Sequence, residues 1–209
     1  LAVAGLASLL VYYRFVVFPA NLWKLADRPL LDFLTLVNEG VWGKVELLAV
    51  FALLAGLYFL GWWAAGKLTS RDSWWMVAGF GVAFAILLVF MFPYGAADIF
   101  DYIIHARVST EYGANPYFTV FKNFPGDPFY TYAYWKTSPT PYGPLWEIFS
   151  ALASRLAGDG FFANIIAFKA LNGAFYLGSL ALVAVILRRH APQRALAGTL
   201  LFAWNPMLL

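Results

Sequence analysis

The chain contains no cysteine and only two histidines among its 209 residues. The absence of cysteine excludes disulfides, iron-sulfur clusters and thiolate nucleophiles, and two distant histidines cannot form a zinc site alone. Charged residues are also scarce, at 12%, whereas an ordinary soluble domain has about 25%. We therefore expect any chemistry performed by this chain to rest on its few carboxylates.

Apolar and aromatic residues are abundant where charged residues are scarce. Hydrophobic residues account for 62% and aromatic residues for 20% of the chain, and the mean hydropathy is +0.70. Paired aromatics stand near the ends of apolar runs, where amphipathic rings favour the headgroup region; they are Tyr12-Tyr13, Trp62-Trp63 and Trp74-Trp75. The composition predicts an integral membrane protein.

The net charge is +3, but the basic residues are scattered beside membrane segments, so nucleic-acid binding has no support.

The apolar runs have the length of membrane spans. A bilayer core of about 30 Å requires roughly 20 helical residues. The runs over residues 1–18, 45–65, 74–93 and 161–187 come close, the first of them clipped, and residues 195–209 begin another. We expect the sequence to be a fragment of a longer chain, and no cleavable signal peptide is evident.

The basic residues in short loops predict the orientation of these spans. The loops at 66–73 and 188–194 are both rich in Lys and Arg and are expected to be cytoplasmic, which places the connection over 94–141 outside. If residues 142–157 crossed the membrane, the second basic loop would lie outside, against this rule. We therefore predict that 142–157 is an amphipathic helix in the outer interface.

A cluster of ionisable residues directly follows the third apolar run. Residues 98–109 can form one short helix, on which Asp98, Asp101, Tyr102 and His105 share a face. Arg107 falls on the apolar side and has to snorkel or find a partner. A partly desolvated carboxylate beside a second one can act as a general base. The alternative is that Asp98 caps the helix, Asp101 pairs with a basic residue and His105 is merely interfacial; spacing alone does not decide between the two.

Lys169 stands inside an apolar run, where a charge is costly. It is expected to face the protein interior, where it can meet an anion, or to snorkel to the interface. The segments at 113–117 and 138–146 contain Asn-Pro, Thr-Pro and Gly-Pro pairs, which are typical of turns whatever the function.

Four motifs in order, "DIFDYIIHAR", "EYGANPY", "FPGDP" and "PYGPLW", follow an apolar span. In this combination the chain resembles the GT-C superfamily of integral-membrane glycosyltransferases, and most of all its polyprenol-phosphate-mannose-dependent mannosyltransferases. The resemblance covers residues 90–209. It implies an all-α, polytopic transmembrane helical bundle whose long outer loop contains interfacial amphipathic helices. Residues 1–73 would supply two N-terminal transmembrane helices, and 74–209 the GT-C-like module: a span at 74–93, the outer loop at 94–160, a span at 161–187 and the start of a further helix at 195–209.

The resemblance also implies an activity. A sugar, mannose or a similar hexose, would pass from a polyprenyl-phosphate donor to an extracytoplasmic hydroxyl on a glycan, lipid or protein, with inversion. Asp98 would be the general base and Asp101 its catalytic companion. The residues expected to bind substrate are His105, Arg107 and Lys169 at the donor phosphate, Tyr117, Tyr142 and Trp146 on the sugar rings, and Asn115. Packing is the commoner use of such aromatic residues and is the alternative for these three.

No cofactor and no metal site are implied, although Asp98, Asp101 and Asp127 leave a divalent ion open as an alternative. The protein is expected in a bacterial or archaeal plasma membrane, among membrane lipids, with its site on the extracytoplasmic side. A competing hypothesis is a non-catalytic membrane subunit or scaffold of a larger complex. A transporter has less support, because no pair of broken helices suggests inverted repeats.

Overall fold

The computed structural model describes residues 1–26, 43–93 and 98–208, and over these ranges the chain is helical with no β-strand. Within these ranges, three helices are long and apolar enough to cross a membrane, namely Lys44–Ala65, Arg71–Val89 and Phe161–His190. The all-α membrane fold is thereby confirmed. Part of the predicted N-terminal connection, 27–42, and the predicted start of the outer loop, 94–97, lie outside the described residues.

The helices agree with most of the predicted runs. In chain order they are α1 (Ala2–Val11), α2 (Leu22–Leu25), α3 (Lys44–Ala65), α4 (Arg71–Val89), α5 (Asp98–Thr110), α6 (Pro144–Ala157), α7 (Phe161–His190) and α8 (Ala195–Ala203). A π-helical segment, Tyr12–Val17, continues α1, and this apolar helix is shorter than the three candidate spans. The last helix ends at Ala203 instead of running on to residue 209, because Pro206 disfavours helical backbone at the residue before it.

The chain divides into two compact units. The bundle unit comprises Leu1–Asn21, Glu39–Met91 and Gly173–Leu209. The loop unit comprises Leu22–Asn38 and Phe92–Asn172. The first contains α1, α3, α4, α8 and most of α7, and the second contains α5, α6 and the long connection between them.

Trp204 lies at the centre of the bundle unit, directly after α8. Its indole nitrogen donates a hydrogen bond to the carbonyl oxygen of Val77 at 3.0 Å. The ring packs edge-on against Phe80 and Phe84, with centroids 5.5 and 5.6 Å away. Such aromatic contacts, with the indole proton satisfied, fix α8 against α4.

Two tyrosines complete the hydrogen bonding at the end of α8. The Tyr58 hydroxyl of α3 donates to the Leu201 carbonyl at 2.8 Å, and the Tyr176 hydroxyl of α7 donates to the Ala203 carbonyl at 2.6 Å. The last carbonyls of a helix have no intrahelical donor, and in a bilayer no water replaces it. These side chains allow α8 to end within an apolar region.

The two basic segments meet at one end of the bundle unit. Ser70 caps the start of α4 by accepting a hydrogen bond from the Ser73 amide at 3.2 Å. The Arg188 guanidinium, near the end of α7, lies 3.8 Å from the ring centroid of Trp74 in the first turn of α4. The start of α4 and the end of α7 are therefore neighbours, and the two helices run in opposite directions. This is the arrangement expected if α6, which has only 14 residues, does not cross the membrane.

The long connection in the loop unit is ordered by its own contacts. The Lys122 amide donates to the Lys136 carbonyl at 2.7 Å, and the Thr140 amide donates to the Pro116 carbonyl at 3.0 Å. Aromatic rings form its core, where Tyr132 lies 5.3 Å from Phe100 of α5 and 4.7 Å from Phe161 of α7 between ring centroids. These contacts bind the connection to α5.

The amphipathic pattern of α6 is the reverse of that in a soluble protein. Its buried face carries polar side chains, namely Glu147, Ser150 and Ser154. Its exposed face carries an apolar stripe, Leu145, Ile148, Leu152 and Leu156. Helices of soluble proteins turn the apolar stripe to the core. An outward apolar stripe fits a helix that rests on lipid, as predicted for residues 142–157.

Candidate active site

Two aspartates stand one turn apart at the start of α5. Asp98 is exposed, whereas Asp101 is buried with 1% of its surface accessible. The Trp135 amide donates a hydrogen bond to Oδ1 of Asp101 at 3.0 Å. Burial raises the pKa of Asp101 to about 6; the Trp135 hydrogen bond opposes this rise and the charge of Asp98 adds to it. The two carboxylates are thus close enough to interact.

Three rings, which we call the aromatic wall, lie on the same side of α5. They are Tyr102, Tyr142 and Trp146, and the Tyr102 ring is 4.9 Å from each of the other two at an angle of 72°. Burial raises the pKa of Tyr102, and the nearby charge of Asp98 raises it further. The structure therefore brings the exposed carboxylate next to aromatic surface. A sugar ring stacks on such surface through its C–H face.

His105 is buried one turn after Asp101. Its Nε2 lies 3.3 Å from the Ser138 carbonyl oxygen, so the tautomer protonated at Nε2 donates there. The other ring nitrogen is buried and has no hydrogen-bond partner among the described residues. Burial lowers the pKa of His105 below its usual 6.5, against the effect of the Ser138 hydrogen bond, and so the ring is neutral at pH 7. The expected polar face of α5 is thus covered by the connection at Asp101 and His105, and stays accessible at Asp98.

Arg107 lies on the apolar side of α5, where the sequence requires a partner, and it has two. Its Nε donates to Oδ2 of Asp127 at 2.8 Å, and its Nη2 donates to Oδ1 of Asp159 at 2.7 Å. The Tyr112 hydroxyl also donates to Oδ2 of Asp127, at 2.8 Å. We call these four residues the arginine clasp. The clasp links α5 to the connection and to the turn between α6 and α7.

The arginine clasp bears on two expectations about ligands. The family resemblance implies that Arg107 holds a donor phosphate, but its charge is already matched by two carboxylates. Asp127 also accepts from the Phe129 amide at 2.8 Å, so both of its oxygens are occupied. A divalent ion on Asp98, Asp101 and Asp127 would have to break these bonds. Within the described ranges, no group of three His, Asp or Glu side chains is arranged to hold a metal.

Three further residues predicted to bind substrate, Asn115, Tyr117 and Lys169, differ in their exposure and hydrogen bonding. Asn115 is exposed, and its Oδ1 accepts from the Tyr117 amide at 2.9 Å, which is the turn that an Asn-Pro pair favours. The Tyr117 hydroxyl oxygen is buried without a hydrogen-bond partner in the part of the chain that the structure describes. Lys169 is half-buried in the part of α7 that belongs to the loop unit.

Glu147 is a polar residue of the site region that the sequence reasoning did not single out. It is 8% exposed, and its Oε1 accepts a hydrogen bond from the Thr140 hydroxyl at 2.5 Å. Burial raises the pKa of Glu147, and the Thr140 hydrogen bond opposes the rise. Its charge also raises the pKa of Tyr117, after desolvation, so the two side chains are neighbours. The signal was present in the sequence: Glu147, Ser150 and Ser154 lie on one face of a helix whose opposite face is apolar.

Comparisons with known proteins identify the family of this chain. No curated protein and no solved structure shows significant similarity to it. Among protein families, residues 3–209 match the alpha-(1->6)-mannopyranosyltransferase, N-terminal domain. The match covers nearly the whole chain and confirms the resemblance to mannosyltransferases, while three apolar helices confirm a membrane protein. The chain belongs to the MptA_B family of alpha-(1->6)-mannopyranosyltransferases.

Proposed function

We propose that this chain carries the catalytic base of a mannosyltransferase that takes mannose from a polyprenyl-phosphate donor, with Asp98 as the base. The observation that carries the proposal is the position of Asp98. It is an exposed carboxylate in the first turn of α5, next to a buried carboxylate and beside the aromatic wall. A base has to reach a substrate proton, and of the two aspartates only Asp98 is accessible.

The chemistry is a single inverting displacement. The acceptor hydroxyl oxygen attacks the anomeric carbon of the donor mannose, and the bond from that carbon to the phosphate oxygen breaks. Asp98 takes the hydroxyl proton, and polyprenyl phosphate departs with the bonding electron pair. The phosphate is already a competent leaving group, so the protein needs a base and a cation but no added cofactor.

We assign the donor phosphate to Lys169. Arg107 already pairs with Asp127 and Asp159, and burial lowers the pKa of His105, so neither of these two residues is favoured as the cation at the phosphate. Lys169 is half-buried in α7, and a basic side chain on an otherwise apolar helix is a candidate for binding an anion. His105 and Asp101 then act by positioning: they fix α5 to the connection through Ser138 and Trp135.

The family name suggests the acceptor. An alpha-(1->6) linkage joins mannose to the primary hydroxyl of another sugar, so we propose a mannose-containing glycan on the outer side of the membrane. The aromatic wall would stack on the acceptor ring and present its hydroxyl to Asp98. Inversion then requires a β-linked donor to give the alpha product. Asn115 and Tyr117, joined in one turn, would contribute at the edge of this surface.

The test is Asp98→Asn in the full-length protein, assayed for transfer of labelled mannose from a polyprenyl-phosphate donor in membranes. Loss of general base catalysis should lower the rate by about 10²–10⁴-fold while the melting temperature stays the same. The matched control is Glu111→Gln, which neutralises another exposed carboxylate just beyond α5. Full activity of Asp98→Asn would exclude Asp98 as the base.

The donor is tested in the same assay. The wild-type protein should use mannose on polyprenyl phosphate and should be inert with mannose on a nucleotide. Direct transfer from the nucleotide sugar, in membranes stripped of polyprenyl phosphate, would refute the donor class and would leave the role of Asp98 to be judged by its own variant.

A further inference from the structure

A groove lies in the bundle unit between α4 and the C-terminal part of α7. It has a cavity volume of about 800 Å³, within the roughly 300–1,000 Å³ typical of ligand sites. Its walls are mostly apolar, and Thr199 of α8 contributes to its lining. Only 6% of the most apolar stretch of α7 is buried, so most of this stretch is uncovered. The site proposed for mannosyl transfer uses none of these residues.

Both cations of the groove stand at the same end. Arg71 begins α4 and Arg188 comes two residues before the last residue of α7, and each lines the groove. Neither forms an ion pair with any residue in the described ranges. The stacking of Arg188 on Trp74, at 3.8 Å, holds its guanidinium at the rim. This end of the groove is therefore suited to an anion.

The rest of the groove is suited to a hydrocarbon chain. Its lining along α7 runs from Arg188 back to Leu177, which at 1.5 Å per residue is about 16 Å along the helix. The side chains between them are small or aliphatic, as is Ala78, the residue that α4 contributes after its tryptophans. A charged end and an apolar wall of this length match one headgroup and one acyl chain.

Thr199 adds a polar point inside the groove. It is 2% exposed, and its hydroxyl oxygen has no hydrogen-bond partner among the described residues. Buried hydroxyls without partners are uncommon in native proteins. Thr199 lies one helical turn into α8, near the end of the groove that carries the arginines, where the ester oxygens of a lipid would stand.

We propose that this groove binds an anionic phospholipid, with its phosphate on Arg71 and Arg188, an acyl chain between α4 and α7, and the Thr199 hydroxyl on an ester carbonyl. Charge complementarity favours this occupant over an apolar helix, which would leave both arginines without a counterion. The basic loops predict that this end faces the cytoplasmic leaflet, where anionic lipids concentrate. The proposal is independent of the base and donor proposed above.

The first experiment measures lipid retention by native mass spectrometry of the purified full-length protein. Phosphatidylglycerol and phosphatidylcholine with the same acyl chains are offered in equal amounts. The choline cation of phosphatidylcholine cancels the charge of its phosphate, so two arginines should favour the anionic phosphatidylglycerol by about thirtyfold. The double variant Arg71→Gln/Arg188→Gln should lose this preference, whereas Arg189→Gln, an exposed arginine that does not line the groove, should keep it.

The second experiment fills the groove without changing its charge. Ala184→Trp places a large ring between α4 and α7 and should abolish retention of phosphatidylglycerol. Leu182→Trp, on an exposed face of α7 outside the groove, is the matched control and should retain it. Because the arginine variants change only exposed side chains, they test the proposal even if Ala184→Trp does not fold.

Several results would overturn the proposal. Equal retention of the two phospholipids, or an equal loss in Arg189→Gln, would mean that no specific headgroup site exists. Preferential retention of polyprenyl phosphate, when it is offered together with an equal amount of phosphatidylglycerol, would identify a different lipid. Absence of any retained lipid in the wild-type full-length protein would mean that another part of the protein fills the groove.

Discussion

The Arg107 guanidinium and the Asp127 carboxylate form an ion pair, Nε to Oδ2 at 2.8 Å, with side-chain exposures of 3% and 0%. The second carboxylate on the same guanidinium, Asp159, has a side chain that is 76% exposed. One cation therefore has a buried and an exposed partner. Because solvent screens the exposed pair and not the buried one, the two should differ in their effect on stability.

Replacing each carboxylate separately tests this difference. Asp127→Asn leaves Arg107 buried without its main counterion and should lower the free energy of unfolding by about 3–5 kcal/mol. Asp159→Asn should lower it by only about 0–1 kcal/mol. Denaturant unfolding of the detergent-solubilised protein, followed by tryptophan fluorescence, gives both values. Equal losses of unfolding free energy would show that the buried pair stabilises the fold no more than the exposed pair does.

Asp101 predicts a pH dependence of stability. Its pKa is raised from 3.8 to about 6 by burial. A carboxyl whose pKa is higher in the folded than in the unfolded state stabilises the fold below the unfolded value, and this stability is lost as the pH rises through the folded value. The melting temperature should therefore fall between about pH 4 and pH 7. Asp101→Asn keeps an acceptor for the Trp135 amide and should make this slope shallower. Asp72→Asn, at an exposed carboxylate of α4, is the control, and an identical slope in the Asp101 variant would contradict the assignment.

Two glycines of α4 should respond in opposite ways to alanine. A Cβ at Gly81 would lie 3.0 Å from the Tyr176 hydroxyl and 3.4 Å from the Ala203 carbonyl oxygen, which are joined by a hydrogen bond. Gly81→Ala should therefore cost about 1–3 kcal/mol. A Cβ at Gly79 meets nothing within 4 Å, so Gly79→Ala should be neutral or stabilising by up to about 1 kcal/mol. Thermal unfolding of the two variants decides, and a more stable Gly81→Ala protein would refute the close packing of α4 on α8.

The buried hydrogen bond from Thr140 to Glu147 should be visible as a coupling energy. Thr140→Val removes the donor and leaves the carboxyl buried with fewer partners, which should cost about 1–3 kcal/mol. In a Glu147→Leu background the same change should cost much less, because no acceptor remains. A double-mutant cycle of unfolding free energies measures the difference, expected at about 1 kcal/mol or more. Strict additivity would mean that the hydrogen bond contributes nothing.

The sequence predicted the helices well, because the patterns that define them are local. Hydropathy located α3, α4 and α7, and the spacing of Asp98, Asp101 and His105 located α5. Charge parity, a rule about loops, argues against a span at 142–157, and the 14-residue length of α6 is consistent with that prediction. The length of the apolar run was a less accurate guide to the structure at the N-terminus. There α1 is followed by a π-helical segment that ends at Val17.

Contacts between residues far apart in the chain could not be predicted from the sequence. Arg107 was recognised as needing a partner, but Asp127 and Asp159 are 20 and 52 residues away, and no local pattern selects them among the carboxylates of the loop. The cover over Asp101 and His105, formed by Trp135 and Ser138, depends in the same way on how the connection folds back. Residue spacing gave the face of α5, and tertiary packing decided which part of it stays accessible.

The outward leucines of α6 affect how this enzyme can be purified. A detergent has to cover more than the membrane-crossing helices, because Leu145, Ile148, Leu152 and Leu156 form an apolar surface on α6, a helix too short to cross the bilayer. Harsh detergents with small micelles would bind to that surface and detach α6 from the residues it packs against. The buried contacts of Glu147 would then be exposed to water. If activity is lost on extraction and returns when the protein is placed back in a bilayer, we would attribute the loss to displacement of α6 and not to unfolding of the membrane-crossing helices.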